Sequence, residues 1–343
     1  MCYIFDSLMQ NGLLKQGDTI ALFLPTFTPY IEIAHLERFQ FKIVAINASS
    51  LRADGTHDWH YPATEIAKLE NPKIKLAVTV NPSNPPSVAF SPVEMKQIVR
   101  LIRKNPDLVL VTDDVYGTFV PNFRSLMAEV PHNTICVYSF SKNFGCTGWR
   151  LGVIAIHEKN TMDRRIAELP ASWKQRLNKR YGAMTMEPEK LKFIDRMVAD
   201  SRNVALNHTA GLSLPQQVQM GFFALSHLLD LKDAYKHLTM EIVRARRDAL
   251  WSGLGIPLPP EDPMRGWYYV ELDFMVWAKI MYGDAFCKYM TTNYEPVDFL
   301  FRLAEKSGVV LMDGGGFGGP PWSIRISLAN LDDADYAKIG KYM

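Results

Sequence analysis

Several polar residues stand at or just beyond the ends of short apolar runs, and their types suit chemistry on an amine or a carboxylate. Asn84 follows the run at 76–80, within Asn81-Pro82-Ser83-Asn84-Pro85-Pro86-Ser87. Asp113 closes the run at 108–112, with Tyr116 three residues on. Ser139, Ser141 and Lys142 follow the run at 134–138, and Arg150 comes eight residues after Lys142. Each alone has a plain explanation. A post-strand Asn or Asp forms turns, a lone Lys is solvated, and an Arg beside a strand pairs with a surface carboxylate. Their joint occurrence at successive ends carries the weight, because ligands of open α/β sheets bind beyond the carboxyl ends of the strands.

The elements that must position them alternate. Strands are expected at Ile20–Leu24, Ile43–Ile46, Leu76–Val80, Leu108–Thr112, Thr134–Tyr138 and Leu151–Ile156. Their β-branched, nearly continuous apolar character suits burial on both faces of a sheet. The clearest intervening helix opens at Ser91-Pro92-Val93-Glu94. There Ser91 caps, Pro92 fits the first helical position and Glu94 completes a capping box. Alternation of this kind predicts an α/β fold with a mostly parallel sheet. From about Asn160 to Gly253 the chain reads as mainly helical, broken near Glu187-Pro188, with a long helix near 231–253. Strands at Gly266–Asp273 and Trp322–Leu328 flank a helix at Val297–Ser307. That pattern predicts a smaller α+β unit, dividing the chain into a large domain at 1–235 and a small one at 236–343.

Composition narrows the setting. With 343 residues, 48% hydrophobic and 22% charged, the chain can bury a sizeable core, which argues against disorder. A net charge of +2 supplies no field for nucleic acid or an anionic membrane. No uncharged stretch approaches the roughly 18 apolar residues of a membrane span. Four scattered cysteines without a C-x-x-C pair encode neither a disulfide framework nor a zinc ribbon, and imply a reducing cytoplasm.

Asn-Pro-x-x, Asp-x-x-Tyr and Ser-x-x-Lys with Arg eight residues beyond, in Thr112-Asp113-Asp114-Val115-Tyr116 and Ser139-Phe140-Ser141-Lys142-Asn143-Phe144-Gly145-Cys146-Thr147-Gly148-Trp149-Arg150, resemble the fold-type I pyridoxal-phosphate aminotransferases. Ile324-Arg325-Ile326-Ser327 resembles the carboxylate-binding strand of the same family. The resemblance covers essentially the whole chain and implies pyridoxal 5'-phosphate as cofactor. Lys142 would hold its aldehyde covalently, and Asp113 would keep its pyridine nitrogen protonated. Tyr116 and Asn84 would donate to its phenolate oxygen, and Ser139 and Arg150 would bind its phosphate. Phe27 matches the position where the family stacks an aromatic ring, and reads equally as a core Phe at a strand end. Arg325 and Asn84 would bind the substrate, Arg325 gripping its α-carboxylate, and Lys142 once released would move the Cα proton.

Within the family, Pro85-Pro86-Ser87, 144–150, 313–319 and 323–330 resemble the aspartate 4-decarboxylase branch, whose members also transaminate. That implies β-decarboxylation of L-aspartate to L-alanine and carbon dioxide, with aspartate:2-oxoglutarate transamination as second activity. A plain aminotransferase and an inert fragment are the alternatives. Partners would be small amino acids, 2-oxo acids and a second copy of the chain, because active sites of this family lie at a dimer interface.

Met1, Ile4, Phe5, Leu8 and Met9 take the spacing of an amphipathic helix that is already running at residue 1. This reads either as a frayed terminal helix or as a chain cut inside an element. Fold-type I enzymes usually carry a Gly-rich turn that receives the cofactor phosphate ahead of this helix. The expectation is therefore an amino-terminally truncated form with impaired cofactor affinity.

Other signals are weaker. Ser139-x-x-Lys142 also fits serine hydrolases, but the middle motif is missing, and Lys306-Ser307-Gly308, which resembles the third, ends a helix rather than opening a strand. Gly314-x-Gly316-x-x-Gly319 fits a dinucleotide pattern, yet prolines and a strand follow where a helix is required. His57-x-x-His60 reads as two loop histidines and no metal site is expected. Arg244, Arg246 and Arg247 read as a solvated helix face.

Overall fold

The computed structural model describes residues 1–203 and 211–343. Six strands form the larger sheet: β1 (Thr19–Leu24), β2 (Lys42–Asn47), β3 (Ile74–Val80), β4 (Val109–Asp113), β5 (Thr134–Ser139) and β6 (Gly152–Ile156). All six fall on the expected runs, with ends displaced by at most two residues. In space they run β2-β1-β3-β4-β5-β6. The first five are parallel and β6 pairs antiparallel with β5.

Alternation along each strand explains the burial. Ile20, Leu22, Leu76, Val78, Val109 and Val111 enter one apolar cluster, with Ile4, Phe5 and Leu8 of the helix Cys2–Gln10. Ala21, Phe23, Ala77 and Leu110 enter the other, with Ile98, Val99, Leu101 and Ile102 of the helix Pro92–Lys104. Side chains of period two thus fill both faces of one sheet. Each fully buried Leu, Ile or Val contributes roughly 1.5–3 kcal/mol relative to exposure. The helix Pro92–Lys104 opens on the expected capping box, Ser91 and Glu94 each accepting from the other's backbone N–H.

After β1 the chain moves to β2 at the edge, then returns past β1 to β3 on its other side. Loops leaving β1 and β3 therefore diverge and open a crevice at the carboxyl edge of the sheet. Because β6 is antiparallel, the residues just before it arrive at that same edge.

Helical segments dominate 161–254, including the 3-10 turn Pro188–Lys190 at the expected break and the helix Ala234–Leu254. The stretch 204–210 of that helical expectation lies outside the described residues. A second sheet of β7 (Tyr269–Asp273), β8 (Met312–Asp313) and β9 (Ser323–Ser327) is antiparallel in the order β7-β9-β8. The helices Phe274–Asn293, Pro296–Ser307 and Asp333–Tyr342 accompany it. Among the described residues no helix is long and apolar enough to cross a membrane.

One local expectation is corrected. Arg247 is buried rather than solvated: its guanidinium lies 4.7 Å from the Trp267 ring centroid and pairs with Glu261 at 3.0 Å and Asp248 at 2.7 Å. The loop histidines clamp carboxylates distant in sequence, His57 on Asp273 at 2.7 Å and His60 between Glu94 at 3.0 Å and Asp262 at 3.1 Å. Burial works against the charge of His60, but Asp262 and Glu94 outweigh it and raise its pKa to about 10. Among the described residues no cluster of His, Cys, Asp and Glu is suited to a metal ion.

Candidate active site

One cavity of about 510 Å³ at the carboxyl edge is lined by Phe27, Asn84, Asp113, Tyr116, Ser139, Lys142, Arg150 and Arg325 together. All eight residues singled out in the sequence thus converge, from five separate stretches of chain. Phe27 comes from the loop after β1, Asn84 from the loop after β3, and Asp113 from the last residue of β4. Ser139 ends β5, and its side chain accepts from the Ser141 amide at 3.2 Å, capping the short helix Phe140–Asn143 that carries Lys142. Phe140 and Phe144 anchor that helix by stacking on Phe223.

The Lys142 Nζ atom lies 3.5 Å from the Tyr269 hydroxyl and 5.7 Å from the Tyr268 ring centroid. Arg150 adopts left-handed backbone (φ 54°, ψ 44°), a conformation costly for a non-glycine residue, where the chain turns into β6. Its guanidinium donates to the Thr147 carbonyl at 2.6 Å. Ser139 Oγ donates to the Leu151 carbonyl at 2.9 Å and lies 2.8 Å from Ser141 Oγ.

At the floor, burial raises the pKa of Asp113, opposed by the Tyr30 hydroxyl and the Val115 amide, which both donate to its carboxylate. Burial and the neighbouring Asp113 in turn push the Tyr30 phenol well above its ordinary range. Tyr116 is buried against Tyr268 and Tyr269, with ring centroids at 5.3 and 5.6 Å. Opposite, the Arg325 guanidinium lies between the rings of Tyr269 and Phe317, at 4.5 and 4.4 Å, and donates to Asn84 Oδ1 at 3.4 Å. Phe27 stands over the cavity edge, 42% exposed, with its ring edge-on to Tyr30.

The sequence did not single out Tyr30, Tyr268 or Tyr269. Tyr30 is one helical turn beyond Phe27, a spacing that placed it on the same side without indicating a partner. Tyr268 and Tyr269 lie in the expected strand Gly266–Asp273, where alternation alone does not say which aromatic meets the site.

Glu271, also unflagged, supports this wall from behind. It pairs in register with Arg325 across β7 and β9, and its Oε1 accepts from the Ser323 hydroxyl at 2.8 Å. Gly314 and Gly319 pass so close to this carboxyl that any side chain there would collide with it. The loop they bound carries Phe317 onto Arg325. Burial, reinforced by Asp273, raises the Glu271 pKa to about 8, against an ordinary 4.5. Between these values the native chain keeps a proton that the unfolded chain releases, so stability falls as pH rises through that window. The lost stability is roughly 3–5 kcal/mol. In urea titrations at pH 5 and pH 8, the wild type is expected to lose that much more than Glu271→Gln. Equal losses in both proteins would refute the assignment.

Comparison with known proteins places this geometry. The profile of the family described as aminotransferase class I and II matches residues 6–341. A bifunctional aspartate aminotransferase and L-aspartate beta-decarboxylase from Pseudomonas sp is 47% identical over 99% of this chain. An aspartate aminotransferase from Sulfurisphaera tokodaii is 26% identical over 46% of it. The chain spans 63% of the length of the Pseudomonas relative, and the second match spans 39% of its own protein. Among solved structures, N-succinyldiaminopimelate aminotransferase from Mycobacterium tuberculosis superposes with a TM-score of 0.66 at 20% identity, covering 99% of this chain and 74% of that one. Cystalysin from Treponema denticola, described as containing a pyridoxal 5'-phosphate cofactor, gives 0.66 at 14% identity, covering 99% and 72%. With its profile match running nearly end to end, the chain belongs to the class I and II aminotransferase family.

Proposed function

We propose that this chain holds pyridoxal 5'-phosphate on Lys142 and acts on L-aspartate, releasing L-alanine and carbon dioxide with transamination to 2-oxoglutarate as second activity. The observation that carries the reading is the convergence on one cavity of an amine, a buried carboxylate and two arginines. None of the ion pairs among the described residues engages Lys142, Arg150 or Arg325. Such a surplus of cationic donors fits a phosphorylated cofactor and an anionic substrate. The 47% identical relative, named for both activities, supports aspartate as the substrate.

When bound, the cofactor supplies a conjugated ring able to accept electrons from the substrate Cα. The chain's own residues would do the rest. Asp113 holds a proton at the pyridine nitrogen, kept in place by Tyr30 and the Val115 amide. Tyr116 donates from its hydroxyl. Asn84 donates from its amide, its carbonyl being already turned to Arg325. Ser139 and Arg150 would bind the cofactor's phosphate, and Phe27 would pack against its ring. Arg325, held between two aromatic rings, presents its fork to the α-carboxylate. Lys142 moves the proton at Cα, its amine steadied by the Tyr269 hydroxyl.

The same reading divides the chain into a cofactor-binding unit at 1–235 and a smaller one at 236–343, works in the cytoplasm, and requires a second copy. Leu214, Phe222, Leu228 and Leu229 on the helix Leu214–Leu229 are 61–73% exposed, an apolar face that a partner subunit would cover. The test separates the chain by gel filtration with added cofactor, then assays each peak with aspartate and 2-oxoglutarate. Alanine with carbon dioxide from a dimeric or larger peak is expected. Oxaloacetate and glutamate alone would reduce the reading to a plain aminotransferase. Activity confined to monomer would remove the assembly, and no product would overturn the reading.

A further inference from the structure

A second cavity of about 190 Å³ lies between the loop after β2 and the carboxyl end of β7, away from Lys142. Its walls are largely apolar, with Trp59, Trp251, Trp277 and Pro259 among them and Leu258 and Ile280, 45% and 60% exposed, at its mouth, but Asp54, Glu271 and Asp273 line it too. Two cations also line it. Arg265 is 3% exposed, and its Nε has no hydrogen-bond partner among the described residues. Arg52, half-buried, is held by the His57 carbonyl at 2.6 Å.

The charges around Arg265 are already committed. Asp54, on the Arg52 side of the slot, accepts from the Thr56 amide and hydroxyl. Asp273 accepts from the His57 amide and faces its ring nitrogen. Asp262 faces His60 and accepts from the Met264 amide. Glu271 accepts from Ser323, and its high pKa leaves it largely protonated at neutral pH. Glu261 belongs to Arg247, the other guanidinium against the Trp267 ring. Arg265 lies 4.2 Å from the centroid of that ring and enters no ion pair among the described residues. Burial lowers its pKa only to about 10, so it remains charged at neutral pH. A buried cation lacking its own carboxylate, at the end of an apolar slot, is a costly arrangement unless an anion completes it.

We propose that this slot is a binding site for a small organic monocarboxylate with an apolar body, its carboxylate on Arg265 and Arg52 and its body against the tryptophans. The volume lies below the roughly 300 Å³ at which pockets for drug-sized ligands begin, which restricts the ligand to a compact acid. Such a site is separate from the cavity that holds Lys142 and does not depend on its chemistry.

The test titrates phenylacetate and 3-methylbutanoate into the full chain, followed by tryptophan fluorescence and calorimetry, with phenethylamine as the cationic counterpart. Saturable binding of an acid at about 1 mM or tighter is expected, with no response to the amine. Arg265→Met should weaken the acid at least about 10-fold, the loss expected for a charged hydrogen bond. Arg325→Ala and Lys142→Ala should leave it unchanged, which separates this site from the candidate active site. Absence of saturation, equal affinity in Arg265→Met, or loss in Arg325→Ala would overturn the proposal. Should Arg265→Met fail to fold by circular dichroism, Arg52→Gln takes its place. Weakening of about threefold or more then supports the site, and an unchanged affinity overturns it.

Discussion

Lys142→Ala is expected to lower turnover of aspartate by at least about 10⁴-fold, because one side chain serves both as covalent anchor and as proton carrier. The two roles separate experimentally. With added cofactor, the wild type should show a visible absorption band near roughly 420 nm that Lys142→Ala lacks. Added small amines should restore part of the turnover without restoring an anchored cofactor. Folding should be little affected, since Lys142 is half-buried, enters no ion pair among the described residues and only approaches Tyr269 at 3.5 Å. Urea midpoints of the two proteins should therefore agree closely. A wild type with no Lys142-dependent band, or a variant that keeps its activity, would end the reading of Lys142 as the anchor.

The elements beneath this site were legible because each is specified locally. Ser91, Pro92 and Glu94 encode a helix start within four residues, and the runs that became β1, β3 and β4 are continuous enough to read as doubly buried strands. By contrast β2 and β6, read the same way, stand at the edges of the sheet and stay partly exposed. Asn84, Asp113, Tyr116, Ser139, Lys142 and Arg150 could be named because parallel strands deliver their carboxyl ends to one edge, a rule of topology rather than of contact. Phe27 and Arg325, the latter on an antiparallel strand of the other sheet, were named only through the family resemblance. What escaped depends on contact. Tyr30 meets Asp113 across 83 residues, His57 meets Asp273 across 216, and Arg247 turns inward because Trp267 and Glu261 receive it. A hydrophilic residue on a helix reads as solvated until a distant partner is in view. Glu271 is the sharpest case. A carboxylate inside an apolar strand pattern conflicts with local preference, and the resolution lies in two glycines more than forty residues away.

Asp113→Asn is the second large effect. The substitution keeps the shape of the side chain and removes the charge that would hold a proton on the ring nitrogen. An ion pair of that kind near 4 Å is worth about 4 kcal/mol at an effective dielectric of 20, a factor of roughly 10³. Turnover should fall by about that factor while the visible band persists, because Lys142 remains free to anchor the cofactor. That combination distinguishes Asp113 from a merely structural carboxylate, whose loss would disturb folding and band together. The surroundings explain why replacement is tolerated: Tyr30 and the Val115 amide meet the two carboxylate oxygens, and either an acid or an amide can accept from the Val115 amide. Tyr30→Phe, which leaves the charge but removes one donor, should shift the pH dependence of turnover and cost much less than Asp113→Asn. The donated hydrogen bond lowers the pKa of Asp113, so its loss should move the acid limb of the profile upward. A Tyr30→Phe profile that coincides with wild type, or an Asp113→Asn protein of undiminished turnover, would remove Asp113 from the site's chemistry.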